Sequence, residues 1–259
     1  MQVHAPISFD SPPPNRTRRI LPRALSVFFF VGQAMAAPVY LTDGHVDFGF
    51  AYATPDWDVH VHDETNDREF APGDAVLVLG DKLLTPIPQG VRFSFLGAPG
   101  TPVYLLPNTP QADRLYLGFG SEELNPADWT GNLSLRLSGV DGPGHFFAWD
   151  LDAFGNTRVR FNSGDGLGPA DVYALVPGGH GHLNFAFDQA GDYQLTFEVS
   201  GEHALDGRKI GTGTYQLTVG AVPEPGTISL LVLGVAGLIG MFCRRRQVQC
   251  ARSPRTLHP

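Results

Sequence analysis

Between Pro38 and Gly220, apolar and polar side chains alternate in short runs, as in Trp57 to His62, Leu133 to Leu137, Leu183 to Phe187 and Tyr193 to Val199. Successive residues of a strand point to opposite faces, so a period of two predicts half-buried β-strands. Turn formers separate the runs at Gly73-Asp74, Ala98-Pro99-Gly100, Asp141-Gly142-Pro143-Gly144, Gly164-Asp165-Gly166 and Pro177-Gly178-Gly179. One short helical stretch, over residues 121–128, is the limit of what the pattern allows, and neither an internal repeat nor a charge block interrupts it. Strands this short and this often punctuated predict an all-β domain.

Composition sharpens that picture. Hydrophobic residues make up 42% of the 259, enough for a real core, and 31 Gly with 22 Pro supply frequent turns without reaching the low-complexity range. The expected architecture is a single antiparallel β-sandwich, Ig-like or jelly-roll-like, flanked by a signal peptide and a C-terminal transmembrane sorting helix. The formal charge of −8 is unevenly spread: nine of the 18 basic residues lie in the two ends. Residues 37–222 hold nine basic side chains against 24 acidic ones, a net charge of −15 that repels phosphate backbones and excludes nucleic acid as a partner. Both cysteines, Cys243 and Cys250, fall at the C-terminal end, so the β domain has no thiol for a disulfide, a zinc knuckle or a nucleophile.

The two ends read as addresses. A basic leader precedes the apolar run Ala24 to Gln33, and Ala34-Met35-Ala36 satisfies the small-x-small rule of signal peptidase, with cleavage expected after Ala36. The leader is long for an n-region, which leaves the true start codon open. At the other end Val222-Pro223-Glu224-Pro225-Gly226 leads into seventeen mostly apolar residues, Thr227 to Cys243, and then Arg244-Arg245-Arg246. That run barely reaches spanning length, and the arginines place the following tail in the cytoplasm. The expected boundaries are a signal peptide over 1–36, an extracellular domain over 37–221, a sorting signal with its transmembrane helix over 222–246, and a cytoplasmic tail over 247–259.

Three features in order, Pro223-Glu224-Pro225, an apolar helix and an Arg cluster, resemble the PEP-CTERM sorting signal of Gram-negative bacteria. The resemblance implies exosortase as processing partner at Pro223-Glu224-Pro225, transient residence in the inner membrane, and delivery to the cell surface or an exopolysaccharide matrix. The thirteen residues beyond the Arg cluster and the interruption by Cys243 depart from that pattern, and a permanent single-span anchor is the plainer alternative. A second resemblance rests on Leu41 to Gly49, Trp57 to His62, Phe95 to Gly100, Asp152 to Asn156 and Gly179 to Phe187, which together look like a choice-of-anchor M domain. It implies a surface location and no particular chemistry.

Candidate chemistry concentrates in His45 with Asp47, His60 with His62, and His180 with His182. Residues two apart share a strand face, so Asp58, His60, His62 and Glu64 form one face opposite Trp57, Val59 and Val61, and His180, His182 and Asn184 lie opposite Leu183, Phe185 and Phe187. An His-x-His pair presents two imidazoles to one ion, and a second pair or the His45-Asp47 segment could complete the shell. The expected ligands are His60, His62, His180 and His182, then His45, with Asp47 and Asp58 as supporting carboxylates. Zn²⁺ fits these donors best; Mn²⁺, Cu²⁺ and Fe²⁺ fit them too. The plain alternative is a solvent-facing sheet decorated with histidines.

Calcium is the weaker candidate: Asp150 to Asn156 begins like an acidic ion loop, but Phe154 and Phe161 occupy positions where an EF-hand needs oxygen, and tight turns account for its aspartates and for Asp165. Gly118-Phe119-Gly120-Ser121 and Gly211-Thr212-Gly213-Thr214 lack the context of a catalytic elbow or a phosphate loop and read as turns, and Glu122-Glu123 reads as a solvated acidic turn. Trp57, Trp129, Trp149, Phe146 and Phe147 could stack on a saccharide, although aromatics at alternating positions are ordinarily core. A non-enzymatic binding or structural surface module is the expected function. The alternatives are a metal-dependent extracellular hydrolase built on the same histidines, and a ligand-free structural or saccharide-binding adhesion module.

Overall fold

The computed structural model describes residues 37–220; the signal segment, the sorting signal and the tail lie outside the described residues. In chain order the strands are β1 (Val39–Leu41), β2 (Gly44–Ala53), β3 (Asp56–Asp63), β4 (Arg68–Phe70), β5 (Ala75–Leu79), β6 (Leu84–Pro86), β7 (Pro102–Leu106) and β8 (Leu115–Gly120). They continue with β9 (Leu133–Asp141), β10 (Phe146–Leu151), β11 (Thr157–Asn162), β12 (Val172–Leu175), β13 (His180–Gly181), β14 (Asn184–Phe187), β15 (Gly191–His203) and β16 (Gly207–Val219). All four alternating runs fall on strands. The helical stretch over 121–128 shrinks to a 3-10 turn at Pro126–Asp128, and a longer 3-10 segment, Val91–Leu96, stands where no periodic signal announced one.

The domain is all-β, but its strands form three sheets in place of the two layers of a single sandwich. Their orders are β1-β5-β16-β15-β9-β12, β11-β10-β14-β7-β6 and β13-β8-β2-β3-β4. Three pairings, β1 with β5, β5 with β16 and β2 with β8, are parallel, which departs from an antiparallel sandwich. Parallel neighbours need a crossover between them, and alternation within a strand carries no mark of which distant strand lies beside it.

All three sheets turn apolar faces to one core. Val46, Phe48 and Phe50 of β2 meet Leu195, Phe197 and Val199 of β15, together with Phe146 of β10 and Phe185 of β14. Strand β10 is apolar on both sides: Phe146 and Ala148 enter this core, while Phe147 and Trp149 pack under the 3-10 segment with Leu96 and Ile87. The aromatics proposed as a saccharide platform are therefore spent on packing. Phe146, Phe147, Trp129 and Trp149 are buried, and the half-buried Trp57 stacks on Trp129 at 4.9 Å between ring centroids. The two Gly-rich stretches read as turns are instead strand interiors, Gly118–Gly120 in β8 and Gly211–Thr214 in β16.

Candidate metal centre

The sheet β13-β8-β2-β3-β4 puts its apolar residues on the core side and gathers polar donors on the other. Register builds that second face row by row. Asp47 of β2 stands opposite His62 of β3 and Gly118 of β8; Gly49 stands opposite His60 and Gly120; His45 stands opposite Tyr116. On the far side of β8, His180 pairs with Gly120. The three histidine segments thus come together on one face, with Asp47 at its centre.

Glycines make the room. A Cβ at Gly118 would lie 2.7 Å from two atoms of the His182 ring and closer still to Asp47 Oδ1, and one at Gly120 would lie 2.7 Å from Glu122 Oε2 and 3.1 Å from Asp47 Oδ2. At Gly49 it would overlap the His60 imidazole. None of the three carries a positive φ, so their value is space above the strand, bought at the usual loss of strand stability.

Three sets of potential ligands result, each with its donor atoms within 4.8 Å of one another: His45, Asp47 and His182; His60, His62 and Glu123; and Asp47, Glu64 and Glu122. His180 joins through Glu122, to which its Nδ1 is bonded. His62 Nδ1 meets Glu64 Oε1 at 2.9 Å, and His60 Nε2 meets Glu123 Oε1 at 3.1 Å. Four carboxylates therefore approach the imidazoles, of which the sequence singled out Asp47 as a ligand and placed Glu64 on the face of His60 and His62. Glu122 and Glu123 do sit in a turn, but they point back over the sheet; the only signal for this was their place immediately after β8. Asp58 is on the predicted face yet exposed and belongs to none of the three sets. Asn184 leaves the histidines altogether, because the chain crosses to another sheet after His182; its side chain bonds Asn108 N–H and the Trp149 carbonyl.

Burial and orientation favour a lone pair over charge at His182. His182 Nδ1 lies 2.9 Å from the Leu117 carbonyl. A carbonyl only accepts, so Nδ1 carries the proton and the lone pair is on Nε2, which is buried without a hydrogen-bond partner among the described residues. A backbone carbonyl fixing one imidazole nitrogen is the usual support of a metal-ligating histidine. Tyr116 stacks on the same ring at 3.7 Å and holds its plane. Burial pushes the His182 pKa below its ordinary value, with the Leu117 bond opposing only in part. His45 goes the other way: the Asp47 carboxylate, 3.4 Å from its Nε2, holds its pKa above the ordinary value against the pull of burial.

Asp47 is the costly residue. Its exposure is 0%, and neither carboxylate oxygen receives a hydrogen bond among the described residues. Its ionised oxygens would also face Glu64 and Glu122 within 4.8 Å; two unit charges at that separation repel by about 3 kcal/mol at an effective dielectric of about 20, less where Glu122 is screened by water. An Asp47→Asn variant, which keeps the shape and removes the charge, is expected to unfold about 1 to 3 kcal/mol later than the parent in the presence of chelator. Urea unfolding checks it, and equal or lower stability would mean that His45 fully compensates the carboxylate.

Two of the aspartates considered for calcium are already engaged, and Asp165 is exposed at the end of a 3-10 turn, Ser163–Asp165. Asp150 pairs with Arg158 and Arg160, and Asp152 accepts from the Phe154 and Asn156 amides to close its own turn. Four grooves of about 190 to 540 Å³ elsewhere on the domain are lined without any histidine.

The described part of the chain is thus an acidic, cysteine-free, three-sheet β domain with one imidazole and carboxylate face. The segment that follows it, residues 221–247, matches the family described as PEP-CTERM protein-sorting motif. That motif suggests an exosortase-targeted exported surface protein. No curated protein and no solved structure matches it. Among the described residues no helix is long and apolar enough to cross a membrane.

Proposed function

We propose that this surface protein uses its β domain to hold a transition-metal ion over Asp47, acting by binding and not by catalysis. The observation that carries the reading is the buried Asp47 carboxylate, free of hydrogen bonds and set beside the lone pair of His182 Nε2 and the ring of His45. A buried carboxylate that receives no hydrogen bond is rare unless a cation neutralises it. Two imidazoles and a carboxylate, with His180 and Glu122 close by, suit Zn²⁺ best, and Mn²⁺, Cu²⁺ or Fe²⁺ can use the same donors.

The remainder of the reading follows the ends of the chain. Signal peptidase cleaves after Ala36, exosortase recognises Pro223-Glu224-Pro225, and the apolar segment before Arg244-Arg245-Arg246 holds the protein in the inner membrane until processing delivers it to the cell surface or the exopolysaccharide matrix. The resemblance of Leu41 to Gly49, Trp57 to His62, Phe95 to Gly100, Asp152 to Asn156 and Gly179 to Phe187 to a choice-of-anchor M domain implies the same location.

Elemental analysis by mass spectrometry of the full chain, purified in detergent without a histidine tag, tests the metal. At least one equivalent of a transition metal is expected after dialysis, and one equivalent fewer in a folded His45→Gln/His182→Gln variant. No metal after reconstitution with Zn²⁺, Mn²⁺, Cu²⁺ and Fe²⁺ would sink the site and leave a ligand-free surface module.

A further inference from the structure

We infer that the same face takes a second divalent transition cation, seated over Gly49 between His60, His62 and Glu123, beside the one held by His45, Asp47 and His182. The inference rests on the preceding reading that the face binds metal, and extends it from one ion to two.

Donor number points first in this direction. A transition cation takes four to six ligands, whereas five imidazoles and four carboxylates meet on this face. The two histidine-containing sets share no residue: His45, Asp47 and His182 form one, His60, His62 and Glu123 the other. A single ion cannot draw on both sets, because they lie over different glycines, Gly118 and Gly49, on neighbouring strands.

The second set is also shaped for its own occupant. His60 is 4% exposed, its Nδ1 has no hydrogen-bond partner among the described residues, and its Nε2 is turned towards Glu123. An imidazole in that position lies flat against the strand only because residue 49 has no side chain. An apolar or hydroxyl side chain would fill the same space without burying an unpaired nitrogen; an imidazole facing a carboxylate is the arrangement of a ligand pair.

Charge counts the same way. Once the imidazoles bind as neutral ligands, Asp47, Glu64, Glu122 and Glu123 leave four negative charges on the face, and two divalent cations balance them where one would leave two uncompensated. Gly118 faces Asp47 whereas Gly49 faces Gly120, so the two glycines are offset by one strand spacing across and two residues along, roughly 8 Å, and each set keeps its own ligands. Glu123 is the most exposed member of its set, which makes the second cation the more readily exchanged of the two.

Stoichiometry separates the possibilities. The full chain, stripped with chelator, is titrated with Zn²⁺ and in parallel with Co²⁺, whose visible absorption reports its ligand shell. Saturation is expected at two equivalents in the parent and at one in each of two variants, His60→Gln/His62→Gln and His45→Gln/His182→Gln, with melting curves confirming that both are folded. Glu123→Gln, a change at a partly exposed residue, is the gentler probe and is expected to weaken only the second equivalent, by tenfold or more. A parent that saturates at one equivalent overturns the second cation and leaves the first standing; a parent that binds none overturns both. Two equivalents retained by His60→Gln/His62→Gln, or an unchanged second affinity in Glu123→Gln, would overturn the placement over Gly49.

Discussion

A Gly118→Val variant is expected to fold and to lose the cation at His45, Asp47 and His182, although every ligand is still present. Position 118 lies in the interior of β8, where a β-branched side chain suits the backbone better than glycine does. What it cannot suit is the space above the strand, because its Cβ would stand 2.7 Å from the His182 ring and against Asp47 Oδ1. Both side chains must swing apart, and ligand geometry tolerates displacements of only a few tenths of an ångström. Overpacking costs about 1 to 3 kcal/mol of stability, which a domain of this size survives. Occupancy is therefore expected to fall by one equivalent, as read by elemental analysis, while the melting transition remains cooperative. Gly80→Ala is the matched control, since a Cβ there meets nothing within 4 Å and the residue has an ordinary φ of −69°. Full occupancy in Gly118→Val would mean that the cation sits elsewhere.

The other large effect concerns the core. Phe197→Ala is expected to destabilise the domain by about 3 to 5 kcal/mol, a large share of the total for a protein of this kind. Phe197 is fully buried in the middle of β15, beside a register shift between Thr196 and Phe197, and its ring lies 5.5 Å from Phe48, 5.2 Å from Phe119 and 5.4 Å from Phe161. Those three rings belong to two other sheets, so the truncation opens a cavity where all three sheets meet and which none can close by shifting alone. Urea unfolding of parent and variant measures the difference. A loss below about 1 kcal/mol would show that the sheets are stabilised separately.

The consequence for the face is indirect but testable in the same samples. Phe48 is the neighbour of Asp47 on β2 and points to the opposite side, so one strand carries both the core and the metal face. Loosening the core at Phe197 should weaken metal binding less than Gly118→Val does, because β2 keeps its register with β3 and β8.

The sequence by itself determined what depends on near neighbours. Alternation in Trp57 to His62 and in Tyr193 to Val199 is a property of consecutive residues, and it identified strands and their apolar sides because the pleat repeats every two residues whatever the partner. The same rule set His60 with His62 on one face. The sorting motif at residues 221–247 was visible for a related reason, since it is a linear order of Pro-Glu-Pro, an apolar run and arginines. Tertiary structure alone decided what depends on partners distant along the chain. It placed β2 parallel to β8, carried His182 beside His45 while sending Asn184 into another sheet, and folded Glu122 and Glu123 back over the imidazoles. It also turned Gly118 and Gly120 from turn formers into positions that leave room above a sheet, as Gly49 does beside them. Side chains that meet across strands are chosen by register and by how three sheets share one core, and those are set by the packing of the whole domain, which no short window of sequence contains.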